Sequence, residues 1–322
     1  MRILYIGKND AGQRLDKFIT KTLKAFPVSL LYKSIRTKKI KVNRKRCEPG
    51  YVLLEGDTVQ LFIAEEFFES DAAERAFMKL KPSVDIVYED ENIILVNKQP
   101  GLIVHSDENE EVNTLIGHIK AYLYKKGEYD PDNEQSFAPA LCNRIDRNTG
   151  GIVLAAKTAA ALRFFNEKIK MHELDKYYLC AVHGKMPKKE DTLVGYLKKD
   201  SDKNLVDVKE KGARGYKEII TKYKVIEENR NLSLLEIELI TGKTHQIRAH
   251  MSSVGHPLLG DGKYGINKDD RKAGYAYQAL YAYKLCFSYK KSGSDFDYLS
   301  GQSFTCDTRG IYFLKEFDGY GK

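Results

Sequence analysis

The chain has 322 residues, 42% hydrophobic and 30% charged, with a net charge of +8, 21 Tyr, 14 Phe and no Trp. These proportions exclude a low-complexity, collagen-like or disordered chain, and no apolar run approaches a signal peptide or a membrane span. Five scattered cysteines (Cys47, Cys142, Cys180, Cys286 and Cys306) with no Cys-x-x-Cys pair exclude a disulfide framework and a cysteine-built zinc site, and predict reduced thiols in a cytoplasmic protein.

The positive charge is unevenly placed. Residues 1–63 hold 14 Lys or Arg against 5 Asp or Glu, a net of +9, so the rest of the chain nets −1. Such asymmetry fits either a polyanion-binding footprint or a solvated face. In residues 13–26, Leu15, Phe18, Ile19 and Leu23 fall at helical spacing with lysines opposite. Ser29 is the expected N-cap of a second helix over LLYKSIRTKKI. A short strand at 40–42 and a basic turn at 43–46 follow, and EGDTVQLFI alternates Val59, Leu61 and Ile63 inward as a half-buried strand. Two helices on a small sheet, carrying Lys38, Lys39, Lys41, Arg44, Lys45 and Arg46 along a helix end and turn, predict a compact nucleic-acid-binding module over 1–63.

Residues 64–83 turn acidic and Ala-rich and read as a linker to a larger domain over 84–322. VDIVYED and NIILVNK flank Asp90-Glu91-Asn92 as a hairpin, residues 152–156 are a buried strand, and KTAAALRFFNEKIKM is an amphipathic helix with Leu162, Phe165 and Ile169 on one face. Strands are expected at YYLCAVHG, KEIITKYKVI and LSLLEIELI. Consecutive strands without regular helical crossovers give an α+β class: a small basic module followed by a mixed, largely antiparallel sheet with flanking helices.

Four segments carry candidate chemistry. Gly260–Gly265 fits G-x-G-x-x-G, but Pro257 lies just upstream and INKDDRKAG supplies no apolar helix face, so the match reads as chance. His245 and His250 stand five apart, not four, and no Glu follows His245, so no metal site is expected. In Asn143–Gly151, Asp146 lies between Arg144 and Arg147 before Thr149-Gly150-Gly151, either as a reactive carboxylate or as a surface ion-pair cluster beside a turn. After the apolar strand LSLLEIELI, the segment 241–250 sets His245, Gln246, Arg248 and His250 at a strand exit, while Tyr177 and Tyr178 point to opposite faces of another strand.

Taken in order, YEDENIILVNKQPGLIVH, NRIDRNTGGIVLAAKT, KYYLCAVHG and TGKTHQIRAHMSSVGHPLLGDGKYG resemble the RluA-type pseudouridine synthases over about residues 84–320. Residues 13–63 resemble the S-four RNA-binding module. The resemblance implies a cofactor-free enzyme that isomerises a uridine of ribosomal or transfer RNA to pseudouridine, with no nucleotide cofactor, no metal and no membrane partner; a monomer is expected. It implies that Asp146 is the catalytic aspartate, that Tyr178 faces the target base, that Arg248 pairs with the aspartate, and that Arg144 contacts RNA near the flipped nucleotide. The sequence departs from the family pattern at Asn143 (usually His), Ile145 (usually Leu), Gly150 (usually Ser) and Lys243 (usually Arg). A non-catalytic RNA-binding factor and a glycosidic hydrolase are the rival readings; intact Asp146, Tyr178 and Arg248 oppose the first, and the lack of an obvious second carboxylate opposes the other.

Overall fold

The computed structural model describes residues 1–68, 72–106, 110, 112–200, 205–265 and 267–319. They group into two compact units. One contains Met1–Ser83, Ile116–Ala140 and Ala156–Arg163; the other contains Val84–Leu115, Leu141–Ala155 and Phe164–Lys322. No helix among the described residues is long and apolar enough to cross a membrane.

In the first unit, α1 (Leu15–Thr22) and α2 (Val28–Arg36) pack on a three-stranded antiparallel sheet ordered β1 (Arg2–Tyr5), β3 (Thr58–Leu61), β2 (Ile40–Val42). Leu15, Phe18 and Ile19 from α1, Leu31 and Ile35 from α2, and Ile40, Val59 and Leu61 from the sheet form its core, as their periodicities require. Ser29 is not the N-cap. Pro27 takes that place with φ −60° and ψ 136°, because its ring already holds the φ that helix entry needs; Ser29 is the second helical residue. Strand β1, absent from the expected elements, is four residues long and pairs with a strand more than fifty residues away. The stretch 64–83 holds 3₁₀ turns at Glu65–Phe68 and Ala72–Lys79, and Phe77 is buried against the rings of Tyr129 and Tyr124 (centroids 5.7 and 6.2 Å). Residues 69–71 of that stretch lie outside the described residues.

The basic turn is a two-residue hairpin. Val42 and Lys45 exchange both backbone hydrogen bonds, and Asn43 and Arg44 have φ of 50° and 65°, as a type I′ turn demands. Asn43 makes the turn affordable: its amide donates to Asp57 Oδ1 at 2.7 Å and its Oδ1 accepts from the Thr58 backbone N–H at 2.8 Å. Asn tolerates positive φ better than other non-glycine residues.

The second unit is built on an eleven-stranded sheet. In chain order the remaining strands and helices are β4 (Ile86–Glu89), β5 (Ile93–Lys98), α3 (Leu115–Lys126), β6 (Ala140–Leu141), β7 (Gly150–Ala156), α4 (Ala159–Lys170), β8 (Leu174–His183), β9 (Glu190–Asp200), β10 (Leu205–Lys209), β11 (Lys217–Glu228), β12 (Leu232–Leu239), α5 (Gln246–Ser253), α6 (Asn267–Lys272), β13 (Leu280–Phe287) and β14 (Ser303–Thr305), of which α3 from Ile116 onward and α4 up to Arg163 belong to the first unit. The sheet order is β10-β9-β11-β12-β8-β13-β7-β5-β4, with β14 added to β13 and β6 to β7. The β4–β5 hairpin turns on Asp90, whose Oδ1 accepts from the backbone N–H groups of Asn92 and Ile93. The α+β, largely antiparallel class holds; β7 runs parallel to β13, with Gly150 opposite Tyr281 and Gly151 opposite Ala282. Helix α3, unforeseen in sequence, shows no narrow apolar stripe, since the residues it buries, Leu115, His118, Ile119, Ala121 and Leu123, spread over more than half of its circumference and include a histidine.

Replacing Asn43 by Ala removes three hydrogen bonds, to Asp57 Oδ1 and from the Thr58 N–H and hydroxyl, and leaves an ordinary residue at positive φ. We expect Asn43→Ala to lower the unfolding free energy by about 1–3 kcal/mol, measured as the shift in the urea transition of the full chain followed by circular dichroism; an unshifted transition would show that the turn is not held this way.

Candidate active site

The site begins where β5 ends. Lys98 is buried, and its ammonium donates to three carbonyls: Gln99 (3.1 Å), Leu102 (2.8 Å) and Arg147 (2.8 Å). The Arg147 carbonyl also accepts from the Gly101 N–H at 2.9 Å, and Arg147 Nε donates back to the Gly101 carbonyl at 3.1 Å. The turn after β5 and the loop 143–149 are thus stitched together. Within the loop, the Thr149 N–H closes a turn on the Asp146 carbonyl (3.0 Å), and Asn143 Oδ1 accepts from the Leu154 N–H of β7 (2.8 Å). Asn143 therefore has a structural task.

Two glycines let β7 leave this loop. A Cβ on Gly151, at φ 117°, would lie 2.2 Å from the Ala282 carbonyl oxygen, and one on Gly150 would lie 2.3 Å from the Tyr281 ring. Tyr281 covers Gly150 with its hydroxyl donated to Asn97 Oδ1 (2.7 Å). The ring occupies the space where the family pattern has a serine side chain.

Asp146 is about a quarter exposed, and Arg248 Nη1 donates to its Oδ2 at 2.9 Å. The flanking arginines do not supply that contact: Arg147 is turned to Gly101 and Arg144 is exposed. Arg248 sits in the first turn of α5 and gives its other edge to a second carboxylate. Nε and Nη2 donate to Asp261 Oδ2 and Oδ1 at 2.7 and 2.9 Å, a fork-to-fork pair that sequence reasoning missed. Asp261 has no solvent exposure and also accepts from the backbone N–H groups of Lys263 (2.9 Å) and Tyr264 (3.2 Å). Burial works against both charges, but the Arg248 bonds hold the Asp261 carboxyl below its usual range, and Asp261 with Asp146 holds the guanidinium above its own.

Three other residues of the 241–250 segment divide their tasks. Gln246 is buried in structure, accepting from the Thr241 hydroxyl and the Lys243 N–H and donating to the Ile220 carbonyl. His250 is bonded to the Thr221 hydroxyl, and burial pushes it down to about 4. His245, the N-cap of α5 at φ 54°, points Nε2 toward Asp146 Oδ2 (3.8 Å) and bonds Tyr264 Oη through Nδ1 (2.9 Å). Burial lowers its pKa more than the Asp146 charge restores it.

Tyr178 on β8 is buried, and its hydroxyl is held in the protonated form first by burial and then by the charge of Asp146. Its neighbour Tyr177 faces the other way under the Lys284 ammonium (4.7 Å from the ring). Asp146, Arg248 and the Tyr178 environment therefore come together, and Arg144 lies on the same loop. Lys38, Lys39, Arg44, Lys45 and Arg46 form an exposed group on the first unit, with Lys41 half-buried and 5.4 Å from the Phe62 ring. Gly260–Gly265 opens no dinucleotide site: the Gly260 N–H donates to Asp270, those of Lys263 and Tyr264 donate to Asp261, and the Asp261 carboxylate is taken by Arg248. Among the described residues, no group of three or more His, Cys, Asp or Glu side chains could hold a metal.

The mixed sheet thus carries one carboxylate on a glycine-ended turn, with an arginine bonded to it and a buried tyrosine that feels its charge. The sequence profile of the family described as RNA pseudouridylate synthase matches residues 92–253, and that of the S4 domain matches 13–59. The chain is 31% identical over 304 residues to a Salmonella typhi protein named ribosomal large subunit pseudouridine synthase C, covering 91% of this chain and 90% of that one. It is 34% identical over 295 residues to an uncharacterized RNA pseudouridine synthase of Mycoplasma capricolum, covering 90% and 93%. The solved structure of human RNA pseudouridylate synthase domain containing 1 shares the fold, with a TM-score of 0.56 at 21% identity over 78% of this chain and 90% of that one. This chain belongs to the RNA pseudouridylate synthase family and is an RNA pseudouridine synthase with an N-terminal S4 domain.

Lys98 gives the site a pH signature. Burial pushes its ammonium down to about 7, with the Asp146 charge acting in the opposite sense. The unfolded chain keeps this proton to about 10.4, so between about 7 and 10 it binds more protons than the folded chain, and this group makes stability rise with pH. We expect wild type to gain on Lys98→Met by up to about 1.4 kcal/mol per pH unit in that window, read from urea unfolding at pH 7, 8 and 9. A constant difference would place the Lys98 pKa at its ordinary value.

Proposed function

We propose that this enzyme converts a specific uridine of structured RNA, ribosomal RNA in the first instance, to pseudouridine, and that Asp146 is the catalytic carboxylate. The observation that carries this reading is the Arg248–Asp146 contact at 2.9 Å beside a buried Tyr178, on a loop locked at both ends. The ribosomal assignment rests on the names of relatives that cover nine-tenths of the chain.

The reaction breaks the bond from the uracil nitrogen to the ribose and rejoins the sugar to a ring carbon of the same base. It needs a positioned carboxylate that either attacks the anomeric carbon or removes a neighbouring sugar proton. Arg248 takes one oxygen of Asp146 and leaves the other free to act. An extruded uracil would stack on Tyr178, whose protonated hydroxyl is a donor for the base. Arg144, exposed on the same loop, would contact RNA near the flipped nucleotide. A hydrolase would need a second working carboxylate, and Asp261 is fully buried and committed to Arg248 and two backbone N–H groups.

Asp146→Asn should retain the fold and RNA affinity and lose pseudouridine formation to below about a hundredth of wild type, a barrier increase of roughly 2.7 kcal/mol or more. The assay is tritium release or chemical mapping on ribosomal RNA from cells lacking the enzyme; substantial turnover would remove Asp146 from this role.

Lys38, Lys39, Lys41, Arg44, Lys45 and Arg46 would hold RNA through phosphate contacts that position it without reading bases. Replacing Lys38, Lys41, Arg44 and Lys45 by Gln should flatten the plot of log affinity against log salt by roughly 2 to 4, since each phosphate contact contributes on the order of 0.7 to 0.9. Conversion of the usual uridine should persist at low salt. Parallel slopes for the two proteins would reduce this cluster to a solvated face.

A further inference from the structure

The segment Gly260–Gly265 has no part in the reaction as described so far, yet two of its side chains end on the residues around Asp146. Asp261 grips Arg248 through Nε and Nη2, and this two-point contact fixes the plane of the guanidinium so that Nη1 can point only one way, at Asp146. Without Asp261, the guanidinium is free to rotate and present two nitrogens to Asp146, which would engage both carboxylate oxygens.

Tyr264 acts on the other neighbour. Its hydroxyl oxygen accepts from the Val206 N–H of β10 at 3.0 Å and lies 2.9 Å from His245 Nδ1. With that oxygen already accepting, the hydroxyl proton is directed at Nδ1. A neutral imidazole that accepts at Nδ1 carries its proton on Nε2, and Nε2 is the nitrogen facing Asp146, at 3.8 Å. The ring of the same tyrosine lies 5.3 Å from the Arg248 guanidinium carbon and meets the His245 ring edge-on at 5.7 Å. The left-handed backbone of His245 (φ 54°) costs energy for a non-glycine residue, and it aims this side chain at the site.

We infer that the Gly260–Gly265 turn is the positioning device of the active site: Asp261 sets the aim of Arg248, and Tyr264 sets the tautomer of His245, so that Asp146 faces one N–H from each. Asp261 and Tyr264 are positioning residues and touch no substrate. The inference rests on the assignment of Asp146 as the catalytic carboxylate, but half of its test does not.

That half is spectroscopic. In the full-length enzyme labelled with ¹⁵N-histidine, His245, assigned through His245→Gln, should show a bare Nδ1 and a protonated Nε2; Tyr264→Phe should convert this to a mixture of tautomers. The other half is kinetic. Asp261→Asn should lower kcat at least about tenfold and leave KM within about threefold, because RNA docking does not depend on the direction of Arg248. If Asp261→Asn does not fold, Tyr264→Phe decides alone, with a fall in kcat of severalfold at unchanged KM. Wild-type kcat in the folded variants, or a His245 proton on Nδ1 in the wild type, overturns the inference. If Asp146→Asn stays active while the His245 tautomer follows Tyr264 as described, the catalytic assignment has failed and the tautomer control by Tyr264 stands.

Discussion

One guanidinium shared by two carboxylates organises the second unit. Arg248 spends Nε, Nη1 and Nη2 on Asp146 and Asp261, and Asp261 fills its remaining acceptor capacity with two backbone N–H groups. Burying such charges is costly, and it is sustained only when every donor and acceptor is matched. That requirement fixes the start of α5, the turn at 260–265 and the loop bearing Asp146 together, since displacement of any one leaves a buried charge without its partner.

The arrangement also separates two jobs that a simple ion pair would merge. A carboxylate held by both oxygens is well fixed but chemically occupied. Here the two-pronged grip falls on the fully buried Asp261, and the partly exposed Asp146 is held by a single bond. Lys98 serves the same end from behind, tying the Arg147 carbonyl to the turn after β5, so the loop is held without the Asp146 carboxylate being covered. The buried Tyr178 hydroxyl keeps its proton in that setting.

Legibility in the sequence followed the range of the interactions. The helices of the first unit could be read because Leu15, Phe18, Ile19, Leu31 and Ile35 repeat on one face, and the β4–β5 hairpin because Asp90 builds its turn locally. Helix α3 could not, because its buried residues spread over more than half of its circumference and leave no narrow stripe to detect. Asp146 was visible as a carboxylate before a glycine turn, but the neighbours suggested by adjacency, Arg144 and Arg147, face elsewhere; its partner lies a hundred residues on and was indicated by family resemblance. Asp261 was hidden altogether. Its segment matched a nucleotide-binding pattern well enough to be dismissed, and the role it has arises only when α5 folds over it. A Gly-Asp-Gly turn after an apolar pair, Leu258 and Leu259, was the available signal for a buried carboxylate.

The parallel pairing of β7 with β13 has a consequence for how the protein is made. Gly150 and Gly151 leave the ribosome about 130 residues before Tyr281 and Ala282, against which they pack. The loop that carries Asp146 follows its Lys98 and Gly101 anchors in the chain, but the β7–β13 pairing and the Arg248 contact are added only when most of the chain has been synthesised. The N-terminal sheet and helices, by contrast, close within their first 61 residues. Contacts of such long sequence separation form slowly and late. During synthesis the chain therefore acquires its basic module well before its candidate site, and a nascent chain stopped short of β13 has a folded N-terminal end and an Asp146 turn that lacks its β13 support.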